Sequence, residues 1–546
     1  MYDYIIVGAG SAGCVLAHRL SAEPDARVLL LEGGPDDRPK EVKIPAAFPK
    51  LFKTERDWDY ATEPEPHLDG RALYWPRGRM LGGSSSMNAQ IYIRGNRLDY
   101  DRWAERGNEG WGWDDVLPYF KRAEHNERGP SRHHGAGGPL NVADLRDPSP
   151  LSRAFVQAGI EAGLAANPDF NGDEQDGVGP SQVTQRKGTR WSTATGYLKP
   201  ARRRPNLTVM TGAHATRVLF DGRRATGVEY RRDGGVETAE ARREVILSGG
   251  AVNSPQLLML SGVGPAAELQ AHGIEVVHDL PGVGRNLQDH LSVTVLATCH
   301  QPLSLLAAES LGNVARFLVL KKGMLTSNVG EAGAFVRTAT GLEAPDIQFL
   351  FAPVLYINHG LAAPPEHGFT VGVILLTPKS TGTVTLSSAD PLAAPRITAN
   401  YLSDAAGDDL RVLVEGVRLA RRVIRSHAFD QYRKAELAPT ADVDSDSELA
   451  TFVRGIAETL YHPVGTCSMG IEAAAVVDPQ LRVRGLDGLR VVDASVMPVI
   501  PRGNTNAPTI MIGEKAADLI RTTSHRPPRA APHQAAPHQV TVTTTD

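Results

Sequence analysis

The chain has 546 residues, 41% hydrophobic and 22% charged, and a net charge of −4. It is too long for one compact core, so two domains or an elaborated domain pair is expected, and the near-neutral charge gives no reason to expect nucleic acid as a partner. Cys14, Cys299 and Cys467 form neither a disulfide framework nor a zinc spacing, and no apolar run is long enough to span a bilayer. The start has no basic region of a signal peptide, so a cytoplasmic setting is expected.

The chain opens on Ile5-Ile6-Val7, a short β-branched run of the kind buried in a parallel sheet, followed by Gly8, Gly10 and Gly13 at G-x-G-x-x-G spacing. Ala12, Val15, Leu16 and Leu20 then recur at helical intervals, and a second apolar strand over residues 28–31 ends at Glu32. Gly8 allows the tight turn, Gly10 lets the backbone approach a pyrophosphate, and Gly13 lets helix and strand pack closely. The helix N-terminus favours phosphate, and Glu32 can accept hydrogen bonds from a ribose. Together these parts predict a dinucleotide site without choosing between NAD and FAD.

Further along, the run Gly78 to Asn88 holds three glycines and three serines, a backbone able to lie flat against a ligand, with Gln90 to Ile93 as a strand directly after it. Residues 99–125 carry helical signals with Asp114 as a cap. Residues 126–140, including His133-His134, read as a solvated loop and not as a metal site. Three strand-like runs between Leu207 and Tyr230 predict a small antiparallel excursion turning at Asp221-Gly222. Residues 244–250 form a buried strand ending in glycines, and Ser254-Pro255 reads as cap and first residue of a helix closing at Gly262. From 291 to 455, strand-like alternation mixes with helix-like runs such as Asp408 to Arg425, which predicts an α+β domain around an antiparallel sheet. Leu489 to Asp493 returns to the opening style, and the Pro/Ala/His/Thr-rich tail after about Ser524 has too few large apolar residues to fold.

Several of these stretches coincide with motifs of one family. Gly78 to Asn88 with Tyr92 and Gly95, Gly250-Ala251-Val252-Asn253-Ser254-Pro255 to Gly264, Tyr461-His462-Pro463-Val464-Gly465-Thr466, and Asp493-Ala494-Ser495 through Asn504 to Glu514 resemble the glucose–methanol–choline (GMC) flavin oxidoreductases. The resemblance covers about residues 1–522 and is nearest to the bacterial FAD-dependent alkanol dehydrogenases, with choline dehydrogenases close by. It implies an α/β plus α+β architecture, a Rossmann-like FAD-binding domain with a substrate domain on an antiparallel sheet. The expected division is residues 1–299 for FAD with small excursions, 300–455 for substrate, 456–523 returning to the FAD domain, and 524–546 as a disordered tail. FAD is then implied at the opening motif, with contacts expected at Gly8, Ala9, Gly10, Ser11, Ala12, Gly13, Glu32, the Leu81-Gly82 backbone, Asn88, Ala89, Ala215, Asp493 and Ala494. Where some relatives tether the flavin through a histidine, this chain has Met87, which cannot form the bond, so FAD is expected to be noncovalent.

The resemblance places the catalytic histidine on His462 and its partner on Asn504, with Asn506 as a nearby rival. Histidine suits removal of a hydroxyl proton near neutral pH, and a neutral amide can hold the substrate oxygen without competing for that proton. The expected reaction is oxidation of a primary, aliphatic or otherwise apolar alcohol to an aldehyde, with electrons passing to a quinone or oxygen. Choline dehydrogenase, an oxygen-using alcohol oxidase and an inactive flavin-binding relative are the alternatives. Glu331 lies where some relatives place a carboxylate facing choline's ammonium, and Trp58, Tyr60 or Tyr461 are available for an aromatic cage. The leucine-rich stretch 301–330 is expected to line the entrance. With Lys321-Lys322 after it, the same stretch can also touch a membrane, against the plainer expectation of a buried helix.

Overall fold

The computed structural model describes residues 1–524; the tail expectation lies outside the described residues. A seven-stranded sheet carries the opening motif, in the order Leu207–Met210, Val28–Leu31, Tyr2–Val7, Gly235–Leu247, Arg224–Arg232, His214–Asp221, with Leu489–Val491 also paired to Gly235–Leu247. Four of its pairings are parallel, and the central strand Tyr2–Val7 is buried on both faces from Asp3 onward, as the apolar run Tyr4-Ile5-Ile6-Val7 requires. Leu207–Met210 corrects one expectation. It joins Val28–Leu31 in parallel, and only His214–Asp221 and Arg224–Arg232 form the hairpin turning near Asp221-Gly222.

The second seven-stranded sheet is antiparallel, in the order Arg433–Ala438, Leu291–Cys299, Gly368–Leu375, Ile347–Ala352, Ala332–Val336, Gly177–Pro180, with Glu458–Thr459 beside Leu291–Cys299. Gly177–Pro180 and Leu291–Cys299 reach it from before residue 300. The helix Asp408–Ile424 covers one face, with Leu413, Val417, Ala420 and Ile424 buried at the spacing of a single apolar stripe. One core lies under each sheet, and the cavity opens between them.

Some local expectations shift for identifiable reasons. Asn96, and not Asp114, is a helix cap: it accepts from Leu98 N–H, and Asp99 reciprocates at the head of Arg97–Glu105. Gln90 has φ +62°, which breaks the expected strand down to a single bridge at Ile91. The helix near Ser254 begins earlier, at Gly250, so Pro255 falls inside it. Proline has no N–H for the Ala251 carbonyl, and that carbonyl instead accepts from the Thr466 hydroxyl at 2.6 Å. The replacement ties this helix to the loop that carries His462.

Candidate active site

One cavity of about 650 Å³ extends from the opening glycine turn to His462 and Asn504. At its first end the backbone does the work. A Cβ on Gly8 (φ +100°) would lie 2.5 Å from the Ser248 carbonyl oxygen, and one on Gly13 would lie 1.9 Å from the Gly8 carbonyl oxygen, so only glycine fits at either position. Gly10 is open by comparison. The helices Ser11–Leu20 and Asn506–Ser524 both start here, joined by a 2.8 Å bond from Ser11 Oγ to Asn506 Oδ1, so two positive dipole ends face the cavity. Glu32 clamps the turn: its carboxylate accepts from the Ala9 and Gly34 N–H groups, each at 2.9 Å, and burial pushes it up to about 7.

The glycine–serine loop lies directly on this turn, since a Cβ on Gly83 would sit 2.8 Å from Gly10 Cα. Gly83, Ser84, Met87, Asn88 and Ala89 face the cavity. Leu81 and Gly82 stand behind them, their N–H groups already donated to the Pro35 and Ala9 carbonyls. Ala215, Asp493 and Ala494 complete the wall. The Asp493 carboxylate accepts from Gly250 N–H, Ser254 Oγ–H and Ser495 N–H, and burial raises its pKa. Side-chain-free backbone, two helix N-termini and an acid at the strand end fit a flavin adenine dinucleotide along this length.

The far end is made of side chains. His462 follows Tyr461, held at φ +67° with its carbonyl bonded to Arg77, and the His462 N–H donates to Asp289 Oδ1 at 2.7 Å. Its Nδ1 is 2.9 Å from His290 Nδ1, and His290 Nε2 is 3.2 Å from the Leu376 carbonyl oxygen. A carbonyl only accepts, so His290 carries its proton on Nε2. Burial holds that ring neutral, its pKa lowered to about 3, and leaves Nδ1 bare. His462 must then donate through Nδ1–H, which leaves its own Nε2 bare. On the other side, Asn504 Oδ1 accepts from Gln348 Nε2 at 3.4 Å, so its Nδ2 donates toward His462 Nε2 at 3.2 Å. Both neighbours demand the same tautomer. Burial, then His290, then Arg77 lower the His462 pKa well below the ordinary histidine value, so the ring is a neutral base.

The N-terminal GMC oxidoreductase model matches residues 2–292 and the C-terminal model residues 378–513. The chain belongs to the GMC oxidoreductase family. It is 49% identical over 530 residues to an alcohol dehydrogenase [acceptor] of Pseudomonas putida, covering 95% of this chain and 96% of that one. It is 46% identical over 526 residues to an oxygen-dependent choline dehydrogenase of Brucella ovis, covering 95% of each. Among solved structures, a formate oxidase of Aspergillus oryzae, described in a study of FAD modification, superposes with a TM-score of 0.89 at 29% identity, covering 96% of this chain and 98% of that one.

On this GMC scaffold, Glu331 does not face the cavity. Its carboxylate accepts from Ser149 N–H at 2.7 Å and Ser152 Oγ–H at 2.6 Å, buried on the opposite side of the chain from Val329 and Gly330, which do line the site. Trp58 and Tyr60 stack on each other, with Trp58 against His214 and near Gly33 at the dinucleotide end, so they build no cage around a substrate; Tyr461 is at the right end. The 301–330 stretch contributes only Val329 and Gly330 to the lining. The apolar walls come instead from Phe48, Phe52, Leu296, Leu350, Ile374 and Leu460. Asn506, the rival to Asn504, is engaged by Ser11 at the phosphate end. His134 is buried, its ring bonded to Asp169 and Glu124; burial opposes its charge, but the two carboxylates lift it to about 9, and no metal-ligand cluster occurs among the described residues. His290 is the residue that sequence reading missed. Its only signal was an Asp-His pair closing the tight loop after Pro281.

Proposed function

We propose that this GMC oxidoreductase is an FAD-dependent dehydrogenase that oxidises primary, apolar alcohols to aldehydes, passes the electrons to a quinone, and works in peripheral contact with a membrane. The observation that carries the reading is the bare Nε2 of His462, fixed from both sides and facing an apolar chamber. Bound FAD supplies the acceptor for the carbinol hydride, at its N5. This chain's own residues do the rest. With substrate bound, the Asn504 amide turns its N–H from His462 Nε2 to the substrate oxygen, and the freed Nε2 lone pair accepts the hydroxyl proton. Phe48, Phe52 and Leu350 take up the aliphatic chain and exclude water. Met87 lines the cavity as a thioether, so FAD is held without a covalent bond.

The resemblance to choline dehydrogenases supports a second reading, choline as substrate. The carboxylate it would use is Glu458, which lines the cavity: its Oε1 pairs with Arg71 at 3.2 Å, and its Oε2, 3.5 Å from His359 Nε2, is buried without a hydrogen-bond partner. Anaerobic mixing with 1-octanol or choline separates the two. The reading expects octanol to bleach the flavin absorbance and choline to leave it; bleaching by choline alone overturns it. Reoxidation by a soluble quinone faster than by oxygen is expected in the same cell, and acid precipitation should release FAD into the supernatant.

A further inference from the structure

The helix Leu311–Leu320 has an apolar face on each side. Its inner side chain, Phe317, is buried against Ala308 and Leu325, with Ile44, Ala46 and Val314 around it. At 3.6 residues per turn, Leu311, Ala315, Leu318 and Val319 fall on the side opposite Phe317, where a surface helix ordinarily carries charge. Yet Leu311 is 90% exposed, Val319 79%, Leu318 64% and Leu320 56%, and Leu306 just before the helix is exposed as well. The other large exposed apolar residues are scattered along the described sequence, which needs no explanation; four on one ten-residue helix do.

We propose that this helix docks the enzyme on a bilayer containing anionic lipid. The charge around it is complementary to such a surface. Lys321 and Lys322 follow its last turn, and Gly188 packs against the Lys321 carbonyl and the Arg146 side chain, which brings exposed Arg146, Arg186 and Lys187 to the same end. The acids nearby are occupied: Asp147 pairs with Arg316 at 2.7 Å, and Glu309 pairs with Lys50. An apolar strip with a cationic rim is the composition of an interfacial helix, which buries its apolar side at the acyl boundary and sets its cations among headgroups. A second copy of this chain fits less well, because the rims would repel, and one ten-residue helix offers far less than the roughly 1,200 Å² of a stable protein interface.

The position suits the proposed chemistry. The helix rests on Ile44 and Ala46, and Phe48, two residues on, lines the cavity. The helix and the Phe317, Ile44 and Ala46 layer beneath it stand between the docked face and Phe48, so docking here sets the lipid, where apolar alcohol and quinone dissolve, on the chamber's side of the molecule. Docking deepens the apolar-alcohol reading, on which only this purpose rests; binding is measured without turnover.

The test is flotation of the FAD-loaded enzyme with vesicles of phosphatidylcholine, alone or mixed with phosphatidylglycerol. The wild type should float with the mixed vesicles and much less with phosphatidylcholine alone, and added salt should weaken that binding. Replacing Leu311, Leu318 and Val319 together by Ser should lower the bound fraction by about tenfold or more. Octanol bleaching in solution should be unchanged, which shows the variant folded. K321Q/K322Q should erase the preference for phosphatidylglycerol. Flotation of the Ser variant equal to wild type overturns the proposal, as does a wild type that floats with neither vesicle. A wild-type dimer that the Ser variant dissolves, without lipid binding, assigns the face to a second copy instead. Flotation without octanol bleaching leaves the docking intact and removes the alcohol reading, so the two failures are separable.

Discussion

At one end of the cavity the walls are mostly backbone, the glycine turn of residues 8–13 with the loop at Gly83 laid on it; at the other the working atoms are side chains of His290, Gln348, His462 and Asn504, delivered by four separate segments. The first end tolerates almost no added atom, because Gly8, Gly13 and Gly83 each touch another backbone where a Cβ would go. The second end depends on hydrogen-bond direction: every partner of His462 and Asn504 is chosen by which atom donates. Binding a dinucleotide is thus a problem of close approach, and proton removal a problem of polarity.

Substitutions at the two ends should fail in different ways. The largest effect is expected from Gly13→Ala at the first end. Its Cβ would sit 1.9 Å from a carbonyl oxygen, so the purified protein should lack the yellow flavin spectrum altogether. At the second end, Asn504→Ala should keep FAD and slow octanol-driven bleaching about a hundredfold, measured by anaerobic stopped flow; unchanged bleaching would show that the amide does not hold the substrate. His290→Leu removes the acceptor of His462 Nδ1–H, frees the ring to take the wrong tautomer, and should cost about tenfold to a hundredfold. His290→Asn, whose Oδ1 can accept in place of Nδ1, should restore most of that rate, whereas a purely packing role would favour Leu over Asn.

The pH dependence sharpens the same contrast. Burial depresses the His462 pKa, so its neutral form persists below the ordinary histidine pKa of about 6.5. The bleaching rate should be level from neutral pH upward and fall only on the acid side of that value. A rate still climbing above pH 7 would contradict a neutral, pre-set base. The smallest effect belongs to Glu331→Ala. It leaves Ser149 N–H and Ser152 Oγ without their acceptor, which should cost about 1–3 kcal/mol in denaturant unfolding, with no change in KM for any alcohol.

The strand, glycine turn and helix of the first end are legible in the sequence because they lie within one βαβ unit; Glu32 is expected at a ribose, and in the structure its carboxylate accepts from the Ala9 and Gly34 N–H groups. The sequence carried less of the second end. His462 and Asn504 stood out only through the family resemblance, and His290 not at all, since nothing in a sequence says that two imidazoles 172 residues apart share a hydrogen bond. Glu331 failed for a simpler reason. Val329 is held at φ +73° and its carbonyl accepts from Glu331 N–H at 3.0 Å, so the chain turns sharply there: Val329 and Gly330 line the cavity while Glu331 turns into the protein. Leu207–Met210 was misplaced because an apolar strand's partner is set by the sheet edge it reaches and not by its own residues. The Leu311–Leu320 helix looked like ordinary core because apolar content does not tell which side faces inward.

The most direct test of the central claim is His462→Ala, mixed anaerobically with 1-octanol while the flavin absorbance is followed. The account predicts a yellow protein with FAD bound as in the wild type and a bleaching rate lower by about a thousandfold or more. Bleaching at the wild-type rate would contradict His462 as the base, and a colourless protein would make it a structural residue of the cofactor site.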